Sequence, residues 1–236
     1  MRYVDFTIAR KAVKANVTVN GVYTYNENAI NPTDITVKDG DTLIPSDEYT
    51  LSYENNTNAG TAKVSITNAE GGNYIVSGTG EFVINKANIK VKPKDVIKTY
   101  GDEPVFALES GSTLITPEEL TEVTKTAKFT SDGAAKTATV SENGYVISAQ
   151  LANKETDNLI FEVDGTGVLT VTPAPLTITV NDVRCEYGAV NPELSVSYNG
   201  FVNSEDESVL GGKLKLSYDS SITAQTKVDS YKGVTK

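Results

Sequence analysis

The chain has 236 residues, 39% hydrophobic and 22% charged, with 31 acidic against 21 basic side chains and a net charge of −10. That balance allows cores to be buried, excludes a disordered chain, and makes phosphate backbones and anionic bilayers unfavourable partners. The absence of histidine removes the commonest general base, the usual metal ligand and the Ser/His and Cys/His nucleophile pairs.

From the start, Arg2-Tyr3-Val4-Asp5-Phe6 reads as a strand, with no leader pattern before it. An exported protein would therefore hold this chain as an internal piece. Alternation of period two predicts strands around Ile35 and Val37, Leu51 and Tyr53, and Val64 and Ile66. The turn signals between strands are Asp39-Gly40-Asp41, Asn55-Asn56-Thr57-Asn58 and Glu70-Gly71-Gly72-Asn73. Thr116-Pro117-Glu118-Glu119 predicts a short helix: a capping threonine, proline at the first helical position and glutamate at the third. Further turns fall at Ser131-Asp132-Gly133 and Glu142-Asn143-Gly144. Alternation resumes at Leu176, Ile178 and Val180, at Leu194, Val196 and Tyr198, and at Leu214, Leu216 and Tyr218. Ser204-Glu205-Asp206-Glu207 predicts a second short helix, stopped by Gly211-Gly212. No stretch of 18 apolar residues occurs.

The chain repeats itself. Gly78-Thr79-Gly80-Glu81-Phe82-Val83-Ile84 recurs 87 residues later as Gly165-Thr166-Gly167-Val168-Leu169-Thr170-Val171. The offset holds through Asp95-Val96 against Asp182-Val183 and Tyr100-Gly101 against Tyr187-Gly188. The closing pattern stands a third time at the start, as Asp5-Phe6-Thr7-Ile8. The divisions expected are 1–10, the last strand of a preceding unit; 11–86; 87–173; and 174–236, an incomplete unit lacking a closing pair of strands. The joint Thr172-Pro173-Ala174-Pro175 is stiff, because each proline fixes its own φ and restricts its predecessor.

The third unit carries Leu176-Thr177-Ile178-Thr179-Val180, Asp182, Tyr187-Gly188, Asn191-Pro192, Leu194-Ser195-Val196-Ser197-Tyr198 and Gly200-Phe201-Val202-Asn203. It resembles the tyrosine-glycine type of MBG module, found in large bacterial surface proteins and adhesins and associated with mucin binding. The second unit departs from that pattern at Pro104 and by an insertion over 109–128. The first unit, with Tyr49-Thr50-Leu51-Ser52-Tyr53 and Gly72-Asn73-Tyr74, is similar to Ig-like modules of exported bacterial proteins. The resemblance implies an all-β chain of tandem small modules: an Ig-like sandwich first, then two β-grasp-like sheets with one short helix each. It implies an extracellular location and no catalytic residues.

The motif residues singled out are Tyr100, Gly101, Tyr187, Gly188, Asn191 and Pro192; the tyrosines are expected to anchor the turn after the first strand. Cys185 cannot form an internal disulfide and reads as a structural thiol on a strand. Asp39-Gly40-Asp41 and Glu205-Asp206-Glu207 concentrate oxygens without the twelve-residue calcium loop, and read as a hairpin turn and as first-turn helix acids. Gly78-Thr79-Gly80 lacks the lysine of a phosphate loop and suits a turn or bulge before the closing strand. Neither a cofactor nor a metal is expected, and the chain is read as a monomer. The leading reading is a stalk or spacer of repeated modules. The alternative is an adhesin whose repeats bind host mucin, glycan or protein.

Overall fold

The computed structural model describes residues 2–190, 192–218 and 221–231. In chain order the first strands are β1 (Lys11–Lys14), β2 (Asn16–Val19), β3 (Tyr23–Thr24), β4 (Ile35–Asp39), β5 (Thr42–Leu43), β6 (Tyr49–Glu54), β7 (Gly60–Asn68) and β8 (Tyr74–Asn85). Next come β9 (Ala87–Pro93), β10 (Val96–Thr99), β11 (Leu108–Glu109), α1 (Pro117–Thr126), β12 (Lys128–Thr130), β13 (Tyr145–Gln150), β14 (Leu159–Val163) and β15 (Gly167–Thr172). β16 (Thr177–Val180) and β17 (Val196–Asn199) follow. The chain is all-β, built of small sheets with one short α-helix among the described residues.

Contacts group the chain into two compact units. One comprises the residues up to Pro93 with Ala107–Phe129 and Ala149–Thr166. Within it, β1, β8, β7 and β6 form a sheet in that order, with β3 also on β8, and β2, β4 and β5 form a second sheet. Inward residues of the two sheets, among them Val17, Val37, Val64, Ile66 and Val76, share one core. This is the expected sandwich.

The sheets approach closely at Gly78 and Gly80. A Cβ on Gly78 would lie 2.6 Å from the Ala15 carbonyl oxygen, and one on Gly80 would lie 2.7 Å from that of Val17. The Gly78-Thr79-Gly80 run is thus neither a turn nor a bulge: it pairs one to one with β7 inside the twelve-residue β8, where only glycine lets another backbone pass. Its counterpart does turn, with Gly165 at φ +119° before β15 begins at Gly167.

The same compact unit holds a sheet of order β11-β9-β14 with α1 against it. β9 alternates buried and exposed residues along its whole length, and Ile89 and Val91 meet Leu159, Phe161 and the helix residue Val123. The helix starts as its capping box dictates. The Glu119 N–H donates to Thr116 Oγ1 at 3.2 Å, and the Thr116 N–H donates to Glu119 Oε2 at 2.9 Å. Thr116→Ala is expected to cost about 1 kcal/mol, read by chemical denaturation.

The other compact unit comprises Lys94–Phe106, Thr130–Ser148 and the chain from Gly167 onward. It contains the sheet β10-β15-β13-β12 and the antiparallel pair β16-β17. Leu169, Val171 and Ile147 are buried in it.

The closing strands share one topology. The first half of β8 pairs in parallel with β1, and its end pairs in parallel with β3. Later in the chain the same roles are split between two strands: β14 pairs in parallel with β9, and β15 with β10.

Four expectations change. The segment 2–10 forms no strand, and neither does Leu214–Tyr218: their alternation is intact but no ladder partner lies alongside either among the described residues. Cys185 is exposed and lies off any strand, for the same reason. The helix predicted at Ser204 contracts to a 3-10 turn, Glu207–Val209, capped by Asp206. Asn203 and Ser204 stand at φ +55° and +61°, whereas an N-cap residue needs extended backbone.

Candidate functional site: the tyrosine-glycine turns

β10 ends where its parallel pairing with β15 runs out, and the Tyr100 N–H still donates to the Thr172 carbonyl at 2.8 Å. The chain then reverses through Gly101, at φ +98°. The Gly101 N–H donates to the Lys136 carbonyl at 3.0 Å, and the Asn203 amide donates to that same oxygen at 3.3 Å. A Cβ on Gly101 would sit 2.8 Å from Val202 Cβ. The Tyr100 hydroxyl donates to Glu205 Oε1 at 2.5 Å. The hydrogen bond to that carboxylate holds the phenol pKa above its ordinary value, with burial and the carboxylate's charge adding to it. Glu205 is therefore a hydrogen-bond acceptor for Tyr100 rather than a helix-dipole acid.

Lys98 braces this turn from beneath. It is buried, and its ammonium donates to the carbonyls of Ala135 and, at 3.3 Å, Asp102. Nothing in the sequence marks it, because the residue 87 positions later is Cys185.

The second turn has different surroundings. Tyr187 is 62% exposed, its hydroxyl lies 3.1 Å from Gln225 Oε1, and the Gly188 N–H donates to the Ala224 carbonyl at 3.0 Å. Gly188 has φ +84° and open space where its Cβ would be. Pro192 accepts at its carbonyl from the Tyr218 hydroxyl at 2.5 Å, and burial pushes the Tyr218 phenol pKa up, with Cys185 adding to it. Asn191 lies outside the described residues. So Tyr100 and Gly101 meet Val202, Asn203 and Glu205, while Tyr187 and Gly188 meet the segment around Ala224 and Gln225.

Polar groups lining the two cavities are engaged within the protein. A cavity of about 360 Å³ is lined by Asn55–Thr61. Its amides bond mainly within the protein: Asn56 donates to the Ile30 carbonyl at 3.1 Å, and Asn158 donates to Asn58 Oδ1 at 3.2 Å. A cavity of about 410 Å³ is flanked by the ion pairs Lys90–Asp164 at 2.8 Å and Lys92–Glu109 at 3.0 Å. Asp39, on the turn weighed for calcium, pairs with Lys11 at 2.5 Å.

Glu48 is buried, and no lysine or arginine among the described residues forms an ion pair with it. It accepts from the Asn73 side chain at 2.7 Å, from the Asn73 N–H at 2.6 Å and from the Tyr74 N–H at 3.3 Å. The Asn73 side-chain bond first, then the two backbone bonds and the charge of Arg10, hold its pKa below the ordinary carboxylate value. A depressed folded-state pKa contributes stability that is present above the unfolded value, about 4.3 for glutamate, and lost as pH falls through the folded one. Glu48→Gln is expected to unfold more easily than the parent at pH 7, with the gap closing below pH 4 in parallel thermal melts.

At the first turn Glu205 and Asn203 are tied into hydrogen bonds that hold segments together. No curated protein matches the chain. Residues 176–235 match the family model of the MBG domain (YGX type), so that segment is similar to the module its own tyrosine-glycine pattern resembles.

Proposed function

We propose that the chain is a non-catalytic repeat segment of a bacterial cell-surface protein, and that its repeats, 11–86, 87–173 and 174–236, act as a spacer carrying other parts of that protein outward. The match of residues 176–235 to the MBG domain supports the surface-module reading. The observation that carries the spacer reading is the way one repeat grips the next. The Tyr100-Gly101 turn of the second repeat packs against Val202 and hydrogen-bonds Glu205 of the third. The first joint is as tight: Lys86 alone separates β8 from β9, its ammonium pairs with Glu155 at 2.6 Å, and the Ala87 N–H donates to the Asn158 carbonyl at 2.9 Å. Such joints restrict bending between neighbours.

One observation favours direct adhesion instead: Tyr187 presents an amphipathic ring to solvent. Titration of the folded chain over immobilised mucin and a glycan array separates the readings. The spacer reading expects no saturable binding. Saturable binding abolished by Tyr187→Ala would replace it with the adhesin reading.

A further inference from the structure

A strand at the edge of a sheet turns a row of unpaired backbone groups outward, and folded proteins blunt such edges with lysines or by keeping them short. Several edges here follow that rule. β1 carries Lys11 and Lys14 within four residues, and β5 and β11 are two residues each. β6, at the opposite edge of the sheet β1-β8-β7-β6, does not follow it. It runs for six residues, Tyr49-Thr50-Leu51-Ser52-Tyr53-Glu54, without lysine, proline or glycine. Leu51, at its centre, is 36% exposed.

The hydrogen-bonding phase of β6 follows from its ladder with β7. The Ala69 N–H donates to the Glu48 carbonyl at 2.9 Å, and the register continues with Thr50 opposite Thr67 and Ser52 opposite Ser65. Even-numbered residues therefore bond to β7, and the N–H and C=O groups of Tyr49, Leu51 and Tyr53 point to the open edge. Among the described residues no strand takes them up. The side chains around Leu51 read alike in both directions: tyrosine, hydroxyl, leucine, hydroxyl, tyrosine. A second β6, laid antiparallel about a two-fold axis at Leu51, meets this edge in phase. Leu51 then pairs with Leu51 and Tyr49 with Tyr53, and these are the residues whose backbone groups point outward. Thr50 falls opposite Ser52 on the other face.

We propose that β6 is a homotypic interaction strand: two copies of this chain pair edge to edge through it and join their sheets into one. Main-chain hydrogen bonds supply the pairing, and the tyrosine, hydroxyl and leucine pairs across the seam add to it. The contact is isologous and closes at two copies. Charge is matched at the seam. Glu54, the one charge on the strand, lies 3.7 Å from Lys63 of its own sheet. Glu48, which falls opposite Glu54 of the second copy, is buried with its carboxylate on Asn73 and Tyr74. So short a seam buries less than about 1,000 Å² in total, which makes the pairing transient. The net charge of −10 repels copies at longer range, so added salt should strengthen the association.

Cysteine trapping reads the register, in a Cys185→Ser background because Cys185 is itself exposed. Chains carrying Thr50→Cys are mixed with chains carrying Ser52→Cys and oxidised mildly. Both side chains are exposed, so neither change disturbs the core. Position 50 faces position 52 of the other copy within disulfide reach, whereas 50 and 50, or 52 and 52, stand diagonally beyond it. Peptide mass spectrometry should find the mixed 50–52 disulfide in about tenfold excess over either homodisulfide. The statistical mixture that thiols meeting by chance produce, or no disulfide, would overturn the proposal. Light scattering gives a reading free of cysteine. Mass should rise towards two copies with concentration for the Cys185→Ser chain. It should stay at one copy once Leu51→Lys is added, because two ammonium groups then meet at the axis. Parallel thermal melts check that the lysine variant is folded. A Cys185→Ser chain that stays at one copy in the millimolar range, or a folded Leu51→Lys variant that pairs as strongly, also overturns the proposal.

Discussion

Replacing Gly80 with alanine is expected to destabilise the first sandwich by about 1–3 kcal/mol, the usual penalty for forcing an extra carbon into a filled space. The added Cβ would lie 2.7 Å from the Val17 carbonyl oxygen and 3.1 Å from Val17 Cγ1. A backbone oxygen in a paired strand cannot swing aside: Val17 is held by its ladder with Val37, and β8 by its ladder with β7. The two sheets must part locally, which loosens the shared core around Val64 and Val76. Gly78→Ala repeats the conflict at 2.6 Å from the Ala15 oxygen. The double variant should cost less than the sum, since one separation of the sheets relieves both. Urea denaturation of the three variants measures this. A Gly80→Ala chain as stable as the parent would mean that β2 does not cross β8 there.

The second large effect is expected at Gly101. Alanine there meets two separate penalties. Its φ of +98° strains any residue with a Cβ, by about 1–3 kcal/mol. Its Cβ would also overlap the branched carbon of Val202 at 2.8 Å, which adds about 1–3 kcal/mol of overpacking. Gly188→Ala isolates the first penalty, because that position has φ +84° and nothing within 4 Å. Gly101→Ala should therefore lose the more stability of the two, and Gly101→Ala combined with Val202→Ala should recover part of the difference. Equal losses at both glycines would show that the turn does not press on Val202. Tyr100→Phe removes only the hydrogen bond to Glu205 and should show a smaller loss than either glycine variant.

Much of this was legible in the sequence where the signal is local. The alternation at Ile35 and Val37, Val64 and Ile66, and Ile178 and Val180 became strands, and Thr116 and Glu119 became a capping box. Readings failed where the outcome depends on a distant partner. Val4, Phe6 and Ile8 alternate as well as Phe82 and Ile84, but a strand needs a neighbour to accept its hydrogen bonds, and alternation does not name one. The two capping patterns look alike, yet the left-handed backbone at Asn203 and Ser204 diverts the second into a joint. That diversion is what brings Glu205 to Tyr100. Gly78 and Gly80 read as a turn because glycine signals freedom of backbone and closeness of approach with the same letter. The buried charges Glu48 and Lys98 were invisible, since a carboxylate satisfied by two N–H groups and an amide, and an ammonium satisfied by carbonyls, need no charged partner along the chain. At the candidate site, the tyrosine-glycine pairs were findable from repetition, whereas the residues they touch were not.

The spacer account is tested most directly by small-angle X-ray scattering. A compact particle of 236 residues would have a radius of gyration of roughly 18 Å. The account expects a clearly larger value, with a maximum dimension that grows by a constant increment as further repeats are added. A radius near the compact value, unchanged in increment or scattered between chains of different repeat number, would contradict it.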